Sequence, residues 1–205
     1  KSIKVFAPAT VANVGCGYDV LGFALEGYGD ELILTRRDDE RLVITSIEGV
    51  QGIPLDPLKN VSTVAIQALL TDLDLNQGFD LRIKKNIAAG SGLGSSASSA
   101  AAAVYAANET LGRPKSQLEL INYAMAGEKL ASTKAHADNV APSVLGGFTA
   151  VRSYEPLDVF NISYPESLKV VVIFPQIEIK TSDAKKMLRD EVKLTDAVKQ
   201  WGNMA

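Results

Sequence analysis

Cysteine, histidine and tryptophan are nearly missing from this chain, which has one of each in 205 residues. The lone cysteine, Cys16, cannot close an intrachain disulfide and cannot by itself build a structural zinc site. With His136 as the one histidine, a Ser-His-Asp triad or a His-rich metal centre has a single residue to draw on. A basic excess is lacking too: 24 acidic against 21 basic side chains give a net charge of −3. Nothing therefore tracks a nucleic-acid backbone or anchors the chain to anionic lipid. No window approaches the ~20 apolar residues of a membrane span. The opening KSIKVFAPATVANVG is too interrupted by Pro8 and Asn13 to serve as a signal sequence. These absences point to a cytoplasmic protein without a nucleic-acid or membrane partner, and 46% hydrophobic content can fill an ordinary core.

What is present alternates between strand and helix patterns. Lys1 to Ala7 and Glu31 to Ile47 read as strands, the second broken by the charged turn Arg36 to Arg41. Asn60 can cap a helix through about Leu73, with Val61, Val64, Ala65, Ala68 and Leu69 inward and Asp72 and Asp74 outward. Phe79, Leu81 and Ile83 alternate with polar residues, the period of a strand with one buried face. An alanine-rich helix follows and is stopped by Gly112 and Pro114. Ser116 and Glu119 make a capping box for a further helix with Leu118, Ile121, Tyr123 and Met125 inward and Glu128 near its far end. KAHADNVAPSVLGG reads as a loop. Phe148 to Arg152, Asp158 to Ser163 and Lys169 to Phe174 read as strands, and helix returns from Thr181. A shift in composition over Tyr154 to Pro165 suggests a boundary near Asn161, giving units 1–160 and 161–205. The last helix lacks a stop signal, so the chain is expected to end inside the second unit.

Chemistry concentrates in KKNIAAGSGLGSSASSAAAAVYAANETLG, residues 84–112. Glycines let backbone approach a ligand closely, and the first amides of the helix behind them have no intrahelical acceptor. A helix dipole adds only ~0.3–1 kcal/mol, whereas an affinity of ~1 mM to ~1 μM needs ~4–8 kcal/mol. At ~1.5–3 kcal/mol for each hydrogen bond to a charged group, three or four amides and hydroxyls from Gly92 to Ser98 would hold a triphosphate. The stretch has neither the Gly-Lys-Ser/Thr ending of a Walker A loop nor the G-x-G-x-x-G spacing of a dinucleotide fold. A plain strand-helix connection leading to a tightly packed small-residue helix stays open as the structural alternative.

Three separated stretches carry a resemblance. KNIAAGSGLGSSASSAA is similar to the phosphate-binding motif of the GHMP kinases, the family of galactokinase, homoserine kinase, mevalonate kinase and phosphomevalonate kinase. PATVANVGCGYDVLGFAL resembles that family's first motif, and HADNVAPSVLGGF a third. The resemblance is collinear over most of residues 3 to 181. It implies an α+β fold: an N-terminal domain like domain 2 of ribosomal protein S5, then the start of a ferredoxin-like domain. Ala88 departs from the family's usual proline, and Lys185 stands where arginine would be expected.

The resemblance implies ATP- and Mg2+-dependent transfer of phosphate to the hydroxyl of L-homoserine, giving O-phospho-L-homoserine on the route to threonine. The alternatives are a mevalonate or sugar kinase, or a non-catalytic nucleotide-binding fragment; homodimerisation is left open. Nucleotide contacts fall on Asn60, with an N-cap as its equal alternative, and on Gly90, Ser91, Gly92, Leu93, Gly94, Ser95, Ser96, Ala97 and Ser98. Glu128 and Ser96 are the catalytic and metal-holding pair, since Mg2+ takes one or two protein oxygens and completes its shell with water and phosphate. Acceptor contacts fall on Asn13, Asp19, His136, Asn139, Thr181 and Lys185. Among these, Asp19 suits an ammonium, and the amides suit a hydroxyl or carboxylate. Turn chemistry around Gly15 and Gly17 is the alternative for Asn13 and Asp19. Asp138 is not assigned as a base, and His136 reads as an orienting group before an acid or base.

Overall fold

Alternating apolar and polar residues over Ser2–Val14 and Gly17–Arg36 build two long strands, β1 and β2, in the computed structural model, which describes residues 1–131, 136–173 and 191–204. They pair antiparallel from Ser2↔Thr35 to Pro8↔Gly29, and the ladder then resumes at Thr10↔Ala24. Pro8 sits at this break, where its missing N–H costs no regular ladder bond. The first strand thus runs on past the expected end at Ala7 to a tight turn at Gly15 and Cys16.

β3 (Leu42–Glu48), β4 (Phe79–Lys84), β5 (Phe148–Tyr154) and β6 (Leu157–Ile162) complete one sheet in the order β3-β4-β2-β5-β6, with β1 attached to β2. β3 is parallel to β4, and the other pairs are antiparallel. Helices α1 (Val61–Asp72), α2 (Ser95–Thr110), α3 (Gln117–Ala131) and α4 (Ala137–Leu145) pack together over the sheet, and α5 (Leu194–Met204) follows near the end of the chain. The result is the expected α+β class.

The alanine helix α2 is the central layer. Ala102, Ala103, Ala106 and Ala107 pack with Leu32, Leu34, Phe79 and Leu81 of the sheet and Ile66 and Leu69 of α1. Ala97, Ala100, Ala101 and Val104 meet Leu120, Ile121 and Ala124 of α3 and Val140 and Ala141 of α4. Methyl side chains let one helix be covered on both sides at short range. Asn60 caps α1 as expected, its Oδ1 accepting the Ser62 amide at 3.0 Å. The capping box also forms, with the Ser116 amide donating to Glu119 Oε2 at 2.8 Å and the Glu119 amide to Ser116 Oγ at 3.4 Å.

Several expectations are corrected. In α1 the fully buried positions include Ile66 and Leu70, while Val61, Val64 and Ala68 are only half-buried, because the helix is covered by both the sheet and α2. In α3, Leu118 is exposed and Leu120 takes the core position. The stretch read as a loop forms α4 despite Pro142. Proline removes the donor that would bond the Asp138 carbonyl, and that carbonyl lies so close to β2 that a Cβ on Gly22 would stand 1.8 Å from it. Residues 169–173 form no strand; Phe174, Thr181 and Lys185 lie outside the described residues.

Candidate active site

The strand-to-helix connection after β4 opens on one cleft of about 510 Å3. Gly90, Ser91, Gly92, Gly94, Ser95 and Ser96 line it from the loop, Glu128 from α3, Asn13 and Asp19 from the β1–β2 hairpin, and His136, Asp138 and Asn139 from α4. Asn60, Ile47, Ile53, Pro54, Val61 and Ile83 line it from the β3, β4 and α1 side. Every acceptor and metal residue expected from the sequence and lying among the described residues therefore faces one cavity.

The loop's own bonds sort its residues. Gly94 is the N-cap of α2 at φ 65, and a Cβ there would stand 2.1 Å from Thr10 Oγ1 and 2.9 Å from Asn139 Oδ1. Only glycine lets the start of the helix approach β1 and α4 this closely. The Ser95 hydroxyl donates to the Ile87 carbonyl at 2.9 Å and the Ser98 hydroxyl to the Ala7 carbonyl at 3.0 Å. Ala97 and Ser98 are buried, and Leu93 turns to a neighbouring cavity. Those three side chains stay off the cleft, contrary to a reading in which hydroxyls through Ser98 grip phosphate. Backbone amides at the start of α2, with the Ser91 hydroxyl, are left as the anion-facing donors.

Glu128 sits in the last turn of α3, where the helix dipole disfavours an anion. Close packing delivers it there: a Cβ on Gly127 would lie 2.5 Å from the Val61 carbonyl and 3.1 Å from Ala65 Cβ. Burial pushes the Glu128 carboxyl above its ordinary value of 4.5, opposed first by a hydrogen bond from Ser96. Among the described residues no three His, Cys, Asp or Glu side chains cluster as a metal site. A carboxylate beside a hydroxyl at a phosphate-binding loop still fits Mg2+, which fills its shell largely from phosphate and water.

The acceptor end is held by side-chain to backbone bonds. Asn13 and Asp19 both adopt left-handed backbone, φ 56 and 55, and Asn13 Oδ1 accepts the Asp19 amide at 2.9 Å. Turn geometry and cleft position thus coexist at these residues. Asp19 Oδ1 lies 3.4 Å from His136 Nδ1. Asn139 Oδ1 accepts from Thr10 Oγ1 at 2.8 Å, which leaves Asn139 its amide nitrogen as a donor. Asp138 is buried, and its Oδ1 accepts the Asn139 amide at 3.0 Å. Asn60 is also committed structurally, since its Nδ2 donates to the Pro54 carbonyl at 2.9 Å while its Oδ1 caps α1.

Sequence reasoning missed the pair that fixes the loop. Lys85 and Asp30 are buried and form an ion pair. Lys85 Nζ also donates to the Ser95 carbonyl at 2.7 Å and to Ser99 Oγ at 2.8 Å. Asp30 Oδ1 accepts the amides of Asn86 at 2.8 Å and Ile87 at 3.0 Å. Burial lowers the Lys85 pKa despite the carboxylate beside it. Together the two residues tie the end of β4 to the first turn of α2. A signal existed: Phe79, Leu81 and Ile83 face inward with period two, and Lys85 is the next position on that face.

Comparison with known proteins adds an independent line. Residues 60–147 match the GHMP kinases N terminal domain. The chain is 46% identical, over its whole length, to a homoserine kinase of Chlorobium phaeovibrioides, of which it covers 67%. It is 39% identical to a homoserine kinase of Methanococcus maripaludis, again covering 67% of that protein. The crystal structure of homoserine kinase from Cytophaga hutchinsonii superposes with a TM-score of 0.93 at 48% identity, over 99% of this chain and 65% of that one. Mevalonate kinase of Methanococcus jannaschii shares the fold at a TM-score of 0.62 and 17% identity, over 80% of this chain and 56% of that one. The chain thus spans about two thirds of the length of these homoserine kinases.

Proposed function

This chain belongs to the GHMP kinase family, and from that premise we propose that its protein transfers the γ-phosphate of ATP to the hydroxyl of L-homoserine, forming O-phospho-L-homoserine. One observation carries the reading: a glycine-serine phosphate loop, a carboxylate on α3 and an amino-acid-sized polar set converge on one cleft. Asp19 supplies an anion for the ammonium, a group that a mevalonate or sugar acceptor does not have. Ile47, Ile53, Pro54 and Val61 give the other end of the cleft an apolar wall suited to a purine ring.

Phosphoryl transfer asks mainly for alignment and charge neutralisation. Amides from Gly92 to Ala97 receive the phosphate oxygens at the start of α2. Ser96 and Glu128 would hold Mg2+, which when bound neutralises phosphate charge. Asp19 fixes the ammonium, while Asn13, Asn139 and His136 orient the rest of the amino acid so that its hydroxyl faces the γ-phosphate. Asp138 lines the same cleft with its Oδ1 accepting the Asn139 backbone amide, and no base role is assigned to it. The hydroxyl proton leaves through phosphate oxygen or solvent. The reading carries a cytoplasmic enzyme, a homodimer to be sought by sedimentation, and a second, ferredoxin-like unit beginning near residue 161. Among the described residues no helix is long and apolar enough to cross a membrane.

The test is ADP release by the full-length protein offered homoserine, mevalonate, galactose and shikimate, each with and without Mg2+. Homoserine with Mg2+ is expected to give turnover well above the blank. Turnover confined to another alcohol would overturn the substrate.

A further inference from the structure

We infer that Tyr154 is a positioning residue of the acceptor pocket, its hydroxyl tying β2 to α4 and so setting the separation between Asp19 and His136. The inference rests on the homoserine reading above. Tyr154 Oη donates to the Asp19 carbonyl at 2.8 Å and accepts the Ala137 amide at 3.3 Å. Asp19 carries the carboxylate assigned to the ammonium, and Ala137 is the first residue of α4, directly after His136. One hydroxyl therefore joins the two segments that carry Asp19 and His136, whose side chains meet at 3.4 Å.

The local backbone shows why such a tie is needed. Asp19 is at φ 55, a left-handed conformation that aspartate tolerates better than most L-residues but still at a cost. Both of its main-chain polar groups are held by side chains: the amide by Asn13 and the carbonyl by Tyr154. The sheet brings Tyr154 to this place, since β2 and β5 pair antiparallel at Leu21↔Ala150. Asp19, two residues before Leu21, and Tyr154, four after Ala150, consequently project from the same end of that strand pair. Donating to a carbonyl requires a protonated hydroxyl, and burial pushes the Tyr154 phenol up to about 12.

Tyr154→Phe in the full-length protein removes the hydroxyl and keeps the ring. KM for homoserine should rise roughly three- to tenfold, while KM for ATP and kcat at saturating homoserine change less than twofold. A merely structural bond would move both KM values together with the melting temperature, and that result would overturn the inference. A double-mutant cycle with Asp19→Asn reads the route: losses that multiply independently would show that Tyr154 does not act through Asp19. Hydrogen exchange at the Ala137 amide tests the bridge without any substrate. It should accelerate in Tyr154→Phe, and unchanged exchange refutes the bridge. Failure of the wild-type protein to phosphorylate homoserine would instead refute the substrate reading.

Discussion

Gly94→Ala, measured beside Gly92→Ala, separates the two properties that glycine supplies to the phosphate loop. Both positions have left-handed backbone, at φ 65 and 75, so each alanine carries a conformational cost of about 1–2 kcal/mol. At Gly92 nothing lies within 4 Å of the added Cβ, and that cost should be the whole effect. At Gly94 the Cβ would stand 2.1 Å from Thr10 Oγ1 and 2.9 Å from Asn139 Oδ1, so the Thr10–Asn139 hydrogen bond must part. Its loss and the crowding bring the expected cost at Gly94 to about 2–5 kcal/mol. For a chain of this size, roughly 2–4 °C of melting temperature accompany each kcal/mol. Gly92→Ala should therefore melt about 2–8 °C lower than wild type, and Gly94→Ala about 4–20 °C lower. Steady-state kinetics provide the second readout. Displacing Asn139 should raise KM for homoserine in Gly94→Ala, whereas Gly92→Ala should chiefly weaken ATP. Equal melting shifts together with an unchanged homoserine KM in Gly94→Ala would refute the close-approach argument.

Two further substitutions probe the buried charges. Lys85→Met leaves the Asp30 carboxylate buried without its cation and should cost about 3–5 kcal/mol in urea unfolding. Adding Asp30→Asn should recover part of the loss, and a Lys85→Met cost below about 1 kcal/mol would show that the pair does not secure the loop. Glu128→Gln should cut kcat/KM by roughly a hundredfold or more, as removal of a charge-stabilising group does. It should also raise the melting temperature of the ligand-free protein at pH 7. The sign follows from the raised folded-state pKa of Glu128. The native state keeps this proton as pH rises past the unfolded value of 4.5, so wild-type stability declines between that pH and the raised pKa, and glutamine removes the decline. A lower melting temperature for Glu128→Gln at pH 7 would contradict it.

Periodicity made most of the fold legible. Strand β4, the caps of α1 and α3 and the glycine stop of α2 all follow from short-range chemistry that one segment carries by itself. Errors arose where tertiary contacts choose between locally acceptable states. Pro142 marks a loop by propensity, yet α4 forms because Val140, Ala141 and Val144 are covered by the neighbouring helices and the Asp138 carbonyl packs on β2. Leu118 fits a helical stripe as well as Leu120 does, and only the crossing of α3 over α2 decides which is buried. The long hairpin was hidden because Pro8, Asn13 and Gly15 look like turn residues. One lies at a ladder break and two form the left-handed turn at the end of the strands.

The site divides in the same way between residues that meet ligand and residues that hold them. Gly94, Glu128, Asn13 and Asp19 are conspicuous in sequence because the phosphate, metal and ammonium roles proposed for them narrow the residue types that can serve. Holding residues come from two sources. Lys85 and Asp30 continue the inward faces of β4 and β2, on which Ile83 and Leu32 are buried, and the register Glu31↔Lys84 sets them beside each other. A charge at such a position demands a partner, so this pair could have been inferred from alternation alone. Tyr154 could not, because β2 and β5 become neighbours only after four α-helices and two strands have intervened. The same division bears on the loop. GSGLGSSAS provides amides whatever strand precedes it, but amides grip a phosphate only if they are already aligned. Here that alignment comes from an ammonium bonded to the Ser95 carbonyl and a carboxylate bonded to the Asn86 and Ile87 amides. The proposed phosphate site is thus encoded by two buried charges outside its motif as much as by the glycines within it.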